Sequence, residues 1–175
     1  MNNKNRLNVK TMTIAGLLTA LAIIIPLFMP KLPVPQPFSV TPASHMPVIL
    51  SMFFGPAVVL CTVIGSTIGF FLTLGPIVAC RAFSHIIFAL VGCYMLKKNY
   101  NIFLVVVVTM ILHAAGEVLV VLMFGTTAFN ILFGVTGGIT CLHHCFDFAI
   151  TMIIYKALKM ANVFDGSINV RSLKA

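Results

Sequence analysis

The sequence predicts an all-α integral membrane protein, built as a bundle of six transmembrane helices with a Pro-rich outer loop after the first helix. Of its 175 residues, 60% are hydrophobic and only 8% are charged, whereas a soluble domain carries roughly 25% charged residues. The mean hydropathy is +1.10. Water cannot solvate so apolar a surface, and the chain is too short for a second module. We therefore predict one membrane domain over residues 1–160 and a polar cytoplasmic tail over 161–175.

Composition defines the first helix and the loop after it. Residues 11–30 form an apolar run of about the 20 residues that a membrane-spanning helix needs. The segment 31–45 contains four prolines. Because proline lacks a backbone donor and restricts the residue before it, this segment cannot be regular helix. We predict an ordered loop on the outer face.

The next apolar stretch is too long for a single span. No Lys, Arg, Asp or Glu occurs over residues 32–80, and Gly-Pro pairs at 55–56 and 75–76 divide the stretch by turns. Two lysines at 97–98 and a small polar connection at 125–130 separate the helices that follow. The predicted helices after the first cover 44–54, which is short, 56–74, 76–96, 102–124 and 133–155.

The net formal charge of +8 comes from 11 basic and 3 acidic residues. Most of the basic residues flank the apolar runs on one predicted side, whereas the outer loops hold only Lys31. This is the positive-inside pattern of membrane proteins. It predicts a multi-pass protein of the bacterial cell membrane, surrounded by lipid, with both termini cytoplasmic. It also argues against nucleic-acid binding, which needs a basic surface patch.

Three ionisable residues, Arg81, Glu117 and Asp147, lie inside predicted spans. A charge at that depth costs about 2.5–3.5 kcal/mol, so three of them need a shared reason. Each has a histidine four residues away on the same helix face: Arg81 with His85, Glu117 with His113, and Asp147 with His143. Converging faces would form a polar pocket that opens outward. Because His144 points about 100° away from His143, we expect only His143 to face this pocket.

Other interpretations of the pairs stay open. The pairs could neutralise one another and only hold helices together. Their histidines and carboxylates are also metal-binding types, but Arg81 would repel a cation in the same pocket, so we expect no metal. No Gly-x-Ser-x-Gly or His-Glu-x-x-His pattern occurs, and we therefore expect no enzyme.

Several patterns of small, proline and glycine residues together resemble those of a known family. Gly16 and Ala20 are small residues four apart on the first helix, a spacing that lets helices approach closely. The Pro-rich loop follows, and then the segment "ASHMPVILSMFFGPAVVLCTVIGSTIGFFL" at 43–72 gives a short helix, a Gly-Pro turn and a glycine-spaced helix. Over about residues 11–158 the chain resembles the S components, the substrate-binding membrane subunits of energy-coupling factor (ECF) vitamin transporters.

The resemblance implies a site and partners. The vitamin would bind from outside, on the outer halves of the last three helices and under the first loop. The candidate substrate-binding residues are Arg81, His85, His113, Glu117, Asn130, His143, Asp147 and His45. Gly16 and Ala20 would dock on a transmembrane coupling protein. Two ATPase subunits would handle ATP, because this chain lacks a Gly-x-x-x-x-Gly-Lys-Ser/Thr loop, and no cofactor is expected in the chain itself.

The residue types in the pocket indicate the ligand. The Arg81 guanidinium suits a carboxylate, and imidazoles and acids can hydrogen-bond a heteroaromatic ring nitrogen. We predict a small heteroaromatic acid, and the sequence is similar to S components assigned to niacin. A stand-alone secondary transporter or ion carrier remains an alternative, as does an intramembrane metal-dependent enzyme.

Overall fold

The computed structural model of the chain describes residues 9–31, 40–126 and 130–163. Within these residues, five helices are long and apolar enough to cross a membrane, which confirms the all-α membrane class. The helices in chain order are α1 Val9–Phe28, α2 Met46–Ser51, α3 Pro56–Leu74, α4 Pro76–Lys97, α5 Ile102–Met123 and, after a π-helical segment at Asn130–Gly137, α6 Gly138–Met160.

The second predicted helix does not span the bundle, so the count of six transmembrane helices is not confirmed. Only the six residues Met46–Ser51 of the predicted range 44–54 are α-helical, which gives a length of about 9 Å against a hydrocarbon core of about 30 Å. The next three backbone N–H groups bond to carbonyls only three residues back. Gly55, with φ of 121°, then ends the element.

Helices α1 and α3 run parallel and pack backbone against backbone. A Cβ built on Gly65 would lie 2.8 Å from the carbonyl oxygen of Thr19, and one on Gly69 would lie 2.8 Å from the carbonyl oxygen of Ile23. Only glycine permits this approach. Because both helices advance in the same direction along the contact, the chain must cross back through the protein between the end of α1 and the start of α3.

The crossing is completed by residues 40–55, which we call the return segment. It contains α2 and lies alongside α6. The carbonyl of Thr41 is hydrogen-bonded to His143, and the Phe53 ring is 4.4 Å from the Tyr155 ring. Most of its residues are buried. Irregular backbone at membrane depth is tolerated when protein surrounds it, which explains how a six-residue helix replaces a full span.

The remaining helices alternate in direction. Gly75 alone, with φ of 83°, joins α3 to α4. Helices α4 and α5 are antiparallel and approach closely where a Cβ on Gly116 would lie 3.0 Å from the Ser84 hydroxyl. Consequently the start of α1 and the end of α6 lie at the same end of the bundle. Of the predicted tail only residues 161–163 are described, and most of the predicted Pro-rich loop, 32–39, lies outside the described residues.

Candidate functional site

All five histidines, one arginine and two carboxylates gather in the interior of the bundle. They come from the return segment and from α4, α5 and α6, and each is buried or nearly so. Arg81 lies six residues after Gly75, about 9 Å along α4, while His113 lies at the middle of α5. The cluster therefore extends from the centre of the bundle toward the end where α3 meets α4. Its members are His45, Arg81, His85, His113, Glu117, His143, His144 and Asp147.

Glu117 is the centre of one half of the cluster. Its Oε2 accepts a hydrogen bond from the Nε–H of Arg81, and its Oε1 lies 3.1 Å from Nε2 of His85. The Nε2 atom of His113, one turn earlier on α5, is 3.7 Å from the same Oε1. The close approach of α4 and α5 at Gly116 explains why these side chains meet across the two helices. Glu117 thus compensates the buried Arg81 charge, as a buried ion requires.

A chain of hydrogen bonds runs from His113 to Thr109. The Thr109 hydroxyl donates to the carbonyl of Val105 at 2.7 Å, so it can only accept from Nε2 of His144, which is 3.1 Å away. A neutral imidazole has one N–H and one lone pair. His144 therefore accepts at Nδ1 from Nδ1–H of His113, 3.0 Å away. This order leaves Nε2 of His113 without a proton, facing Glu117 and His85.

Asp147 holds the return segment in place. Its two oxygens accept the backbone N–H groups of Ala43 and His45, each at 2.9 Å. The same carboxylate lies 3.0 Å from Nδ1 of His45 and 3.2 Å from Nε2 of His143. One carboxylate therefore binds both the backbone and the ring of His45.

A cavity of about 30 Å³ lies among these side chains. A water needs about 10–15 Å³ of such space, so the cavity accommodates one or two waters or a single ion. Two lining residues carry a buried polar atom that makes no hydrogen bond, Oγ of Ser44 and Nδ1 of His85. Because buried polar atoms are normally paired, these two atoms make the cavity a candidate site for a ligand that would hydrogen-bond them.

Comparison with known proteins decides the family. Over 195 aligned residues the chain is 31% identical to "Niacin transporter NiaX" of Lactococcus lactis subsp. cremoris (strain MG1363), and the alignment covers 99% of this chain and 87% of that protein. The chain belongs to the NiaX family. No protein-family model matches the chain, and no solved structure matches it. This membership confirms the predicted resemblance to proteins assigned to niacin transport.

In this NiaX-family chain, the cluster unites seven of the eight predicted binding residues. They are His45, Arg81, His85, His113, Glu117, His143 and Asp147. The eighth, Asn130, begins the π-helical segment, and its side chain lies outside what the structure describes. Their role in binding stays a prediction. The contacts differ from the predicted pairs in one respect, because Arg81 and His85 both bond to Glu117.

The two adjacent histidines of α6 have different surroundings. His143 lines the cavity, as predicted, whereas His144 lies behind it, fully buried against His113 and Thr109. The sequence reasoning missed the part played by Thr109. The sequence spacing of Thr109 could have revealed this part, because Thr109, His113 and Glu117 follow each other at intervals of four residues on one face of α5.

The predicted docking residues of this NiaX-family chain lie on the outside of the bundle. Gly16 and Ala20 are exposed, and a Cβ on Gly16 would meet nothing within 4 Å. Thr19 and Ile23 make the contact with α3 instead. Gly16 also lines an apolar groove of about 470 Å³ between α1 and α3. The two small residues are thus not used for packing against α3.

Proposed function

We propose that this chain is the high-affinity substrate-binding subunit of an ECF-type vitamin uptake transporter and that its ligand is niacin. The observation that carries the proposal is the 31% identity with a niacin transporter over nearly the whole chain. The buried cluster supports it, because polar groups that converge inside an apolar bundle mark substrate sites in membrane proteins. As a binding subunit the chain has no catalytic role.

The cavity wall suggests how niacin is held. Arg81 lines the cavity, and its guanidinium, which bonds Glu117, carries a positive charge and N–H donors suited to a carboxylate. The cationic group attracts the niacin carboxylate, and the Ser44 hydroxyl supplies a further donor for the carboxylate or the ring nitrogen. The cavity of about 30 Å³ is far below the roughly 300 Å³ of small-molecule pockets. Niacin binding must therefore move the lining side chains apart.

Direct binding measurements test the proposal. Calorimetry with the purified protein in detergent should show saturable binding of nicotinic acid at one site per chain. Nicotinamide is the matched control, because it keeps the ring and loses the carboxylate charge. We expect it to bind about 10- to 100-fold more weakly, since a hydrogen bond to a charged group contributes about 1.5–3 kcal/mol. Equal affinities would refute the carboxylate contact, and no binding of either compound would refute the function.

The topology supports the proposed orientation. The start of α1 and the end of α6 lie at the same end of the bundle, and the basic residues Lys10, Lys97 and Lys156 lie near that end. The positive-inside rule assigns this end to the cytoplasm. We infer that both termini are cytoplasmic and that the cluster opens outward, beside residues 40–45.

The partners we propose are a transmembrane coupling protein and two ATPase subunits, with α1 as the docking helix. Replacing Gly16 and Ala20 together by leucine should prevent assembly of the complex, because the side chains would separate the two helix backbones. Niacin binding should be unchanged. Co-purification with the tagged coupling protein measures assembly, and calorimetry measures binding.

The control for this prediction is Ala115→Leu combined with Ala149→Leu, which adds the same side chains to exposed positions on α5 and α6. This control should assemble normally. Normal assembly of the Gly16 and Ala20 variant would show that the partner docks elsewhere. Niacin uptake into vesicles that contain this chain alone, without ATP, would favour a stand-alone transporter.

A further inference from the structure

We propose that His85, His113, Glu117 and His45 bind a divalent transition-metal ion of the zinc type within the cluster. Three donor atoms from two helices meet at one point: Nε2 of His85, Nε2 of His113 and Oε1 of Glu117. The two nitrogens are 3.2 Å apart, and the oxygen lies 3.1 Å from His85 and 3.7 Å from His113. A nitrogen of His45 also lies within 4.8 Å of a nitrogen of each of the other two histidines.

These separations fit a tetrahedral ion. Zinc binds histidine nitrogen at about 2.0–2.1 Å and carboxylate oxygen at about 2.0–2.2 Å, so two ligand atoms on one tetrahedral ion are about 3.4 Å apart. The three measured separations lie on either side of this value. Imidazole ligands select zinc, copper, nickel or iron over magnesium and calcium. A single carboxylate among three histidines gives the same preference.

The directions of the hydrogen bonds from His113 to Thr109 leave too few protons among the three donor atoms. Nε2 of His113 is without a proton, because His113 donates from Nδ1 to His144, and the Glu117 carboxylate has no proton to give. Of the three atoms, only Nε2 of His85 can carry a proton, and it faces the other two. One proton cannot satisfy two acceptors fully. A metal ion would satisfy all three donor atoms at once.

Two of the three histidines have the outer partners of a built metal site, whereas Nδ1 of His85 makes no hydrogen bond. Metal-binding histidines commonly use the second ring nitrogen to bond a carboxylate or another polar group, which fixes the ring. Nδ1 of His45 lies 3.0 Å from Asp147, and Nδ1 of His113 bonds His144. Arg81 bonds the outer oxygen of Glu117. It therefore orients the carboxylate from outside the ligand set, and its charge does not exclude a cation as the sequence had suggested.

Charge and space agree with this assignment. With neutral imidazoles the cluster contains Arg81 against Glu117 and Asp147, a net formal charge of −1, which favours a cation. The cavity of about 30 Å³ is large enough for an ion and a bound water. The proposal does not depend on niacin, because it concerns binding of the metal alone.

Titration of the metal-free protein with Co²⁺ tests the site. The wild-type protein, treated with a chelator and kept in detergent, should bind one Co²⁺ per chain with the visible absorption bands of tetrahedral cobalt, and Zn²⁺ should displace it. His113→Gln and His85→Gln should each weaken binding by about 100-fold or more, beyond the 10- to 100-fold effect of outer-shell changes. His143→Gln should weaken binding by about tenfold, the lower end of that range, because His143 lies in the neighbouring group with Asp147.

Two results would overturn the proposal. The first is a wild-type protein that binds neither Co²⁺ nor Zn²⁺, a result that needs no variant and stands even if the variants fail to fold. The second is a loss of Co²⁺ binding in His143→Gln equal to that in His113→Gln, which would place the ion between His45, His143 and Asp147. Retained niacin binding in metal-free protein would leave the transport function intact in either case.

Discussion

Replacing Arg81 by methionine should both weaken niacin binding and destabilise the bundle. Arg81 is 7% exposed and bonded to Glu117. Removing one partner of a buried ion pair leaves the other charge uncompensated, which costs about 3–5 kcal/mol. Loss of the charge-assisted contact to the ligand carboxylate should lower the affinity by about two orders of magnitude. Thermal unfolding in detergent and calorimetry measure the two effects.

A double variant separates the two effects. Arg81→Met with Glu117→Gln removes both charges, so most of the stability should return, while the affinity for niacin stays low. Lys97→Met is the matched control, because it removes an exposed positive charge from the end of the same helix. It should change neither property. An Arg81→Met protein that binds niacin with wild-type affinity would show that another group receives the carboxylate.

Asp147→Asn should release the return segment from α6. The carboxylate accepts two backbone N–H groups, those of Ala43 and His45, besides its two histidine neighbours. An asparagine amide has one acceptor oxygen, so at least one buried donor loses its partner at about 1–3 kcal/mol. We expect a lower unfolding temperature. We also expect faster hydrogen exchange at the amides of Ala43 and His45, measured by mass spectrometry of peptides covering 40–55.

Thr151→Val is the control for this change, because it lies one turn further along α6 and loses a single hydroxyl bond to the Asp147 carbonyl. That loss should cost about 1 kcal/mol and leave the exchange of residues 40–55 unchanged. Unchanged exchange in Asp147→Asn would mean that packing alone holds the return segment, and that the carboxylate serves the ligand instead.

Hydropathy and turn residues predicted the spanning helices well. The predicted and observed starts of α3 and α4 coincide at Pro56 and Pro76, because a Gly-Pro pair ends one helix and begins the next. The predicted helix at 44–54 was wrong in length, since buried residues allow tight turns that an isolated hydropathy profile cannot distinguish from helix. The predicted helix at 133–155 begins within the π-helical segment and matches the start of the fifth candidate span, Phe133–Met160.

The candidate site was predictable in its members but not in its contacts. Their position inside predicted spans identified Arg81, Glu117 and Asp147, and spacing by four residues identified the histidines that share their helix faces. It does not identify the helix that lies opposite. Glu117 receives both Arg81 and His85 only because α4 and α5 approach closely at Gly116. The return segment likewise brings His45 beside α6 through a path that no local pattern specifies.

The glycine contact between α1 and α3 has a mechanical consequence. No side chain separates the two backbones at Gly65 and Gly69, so a load on one helix reaches the other through direct backbone contact. A force applied to the exposed side of α1 would tilt α1 and α3 as one rigid body. Gly75 would pass that tilt directly to the first turns of α4, and so to the guanidinium of Arg81.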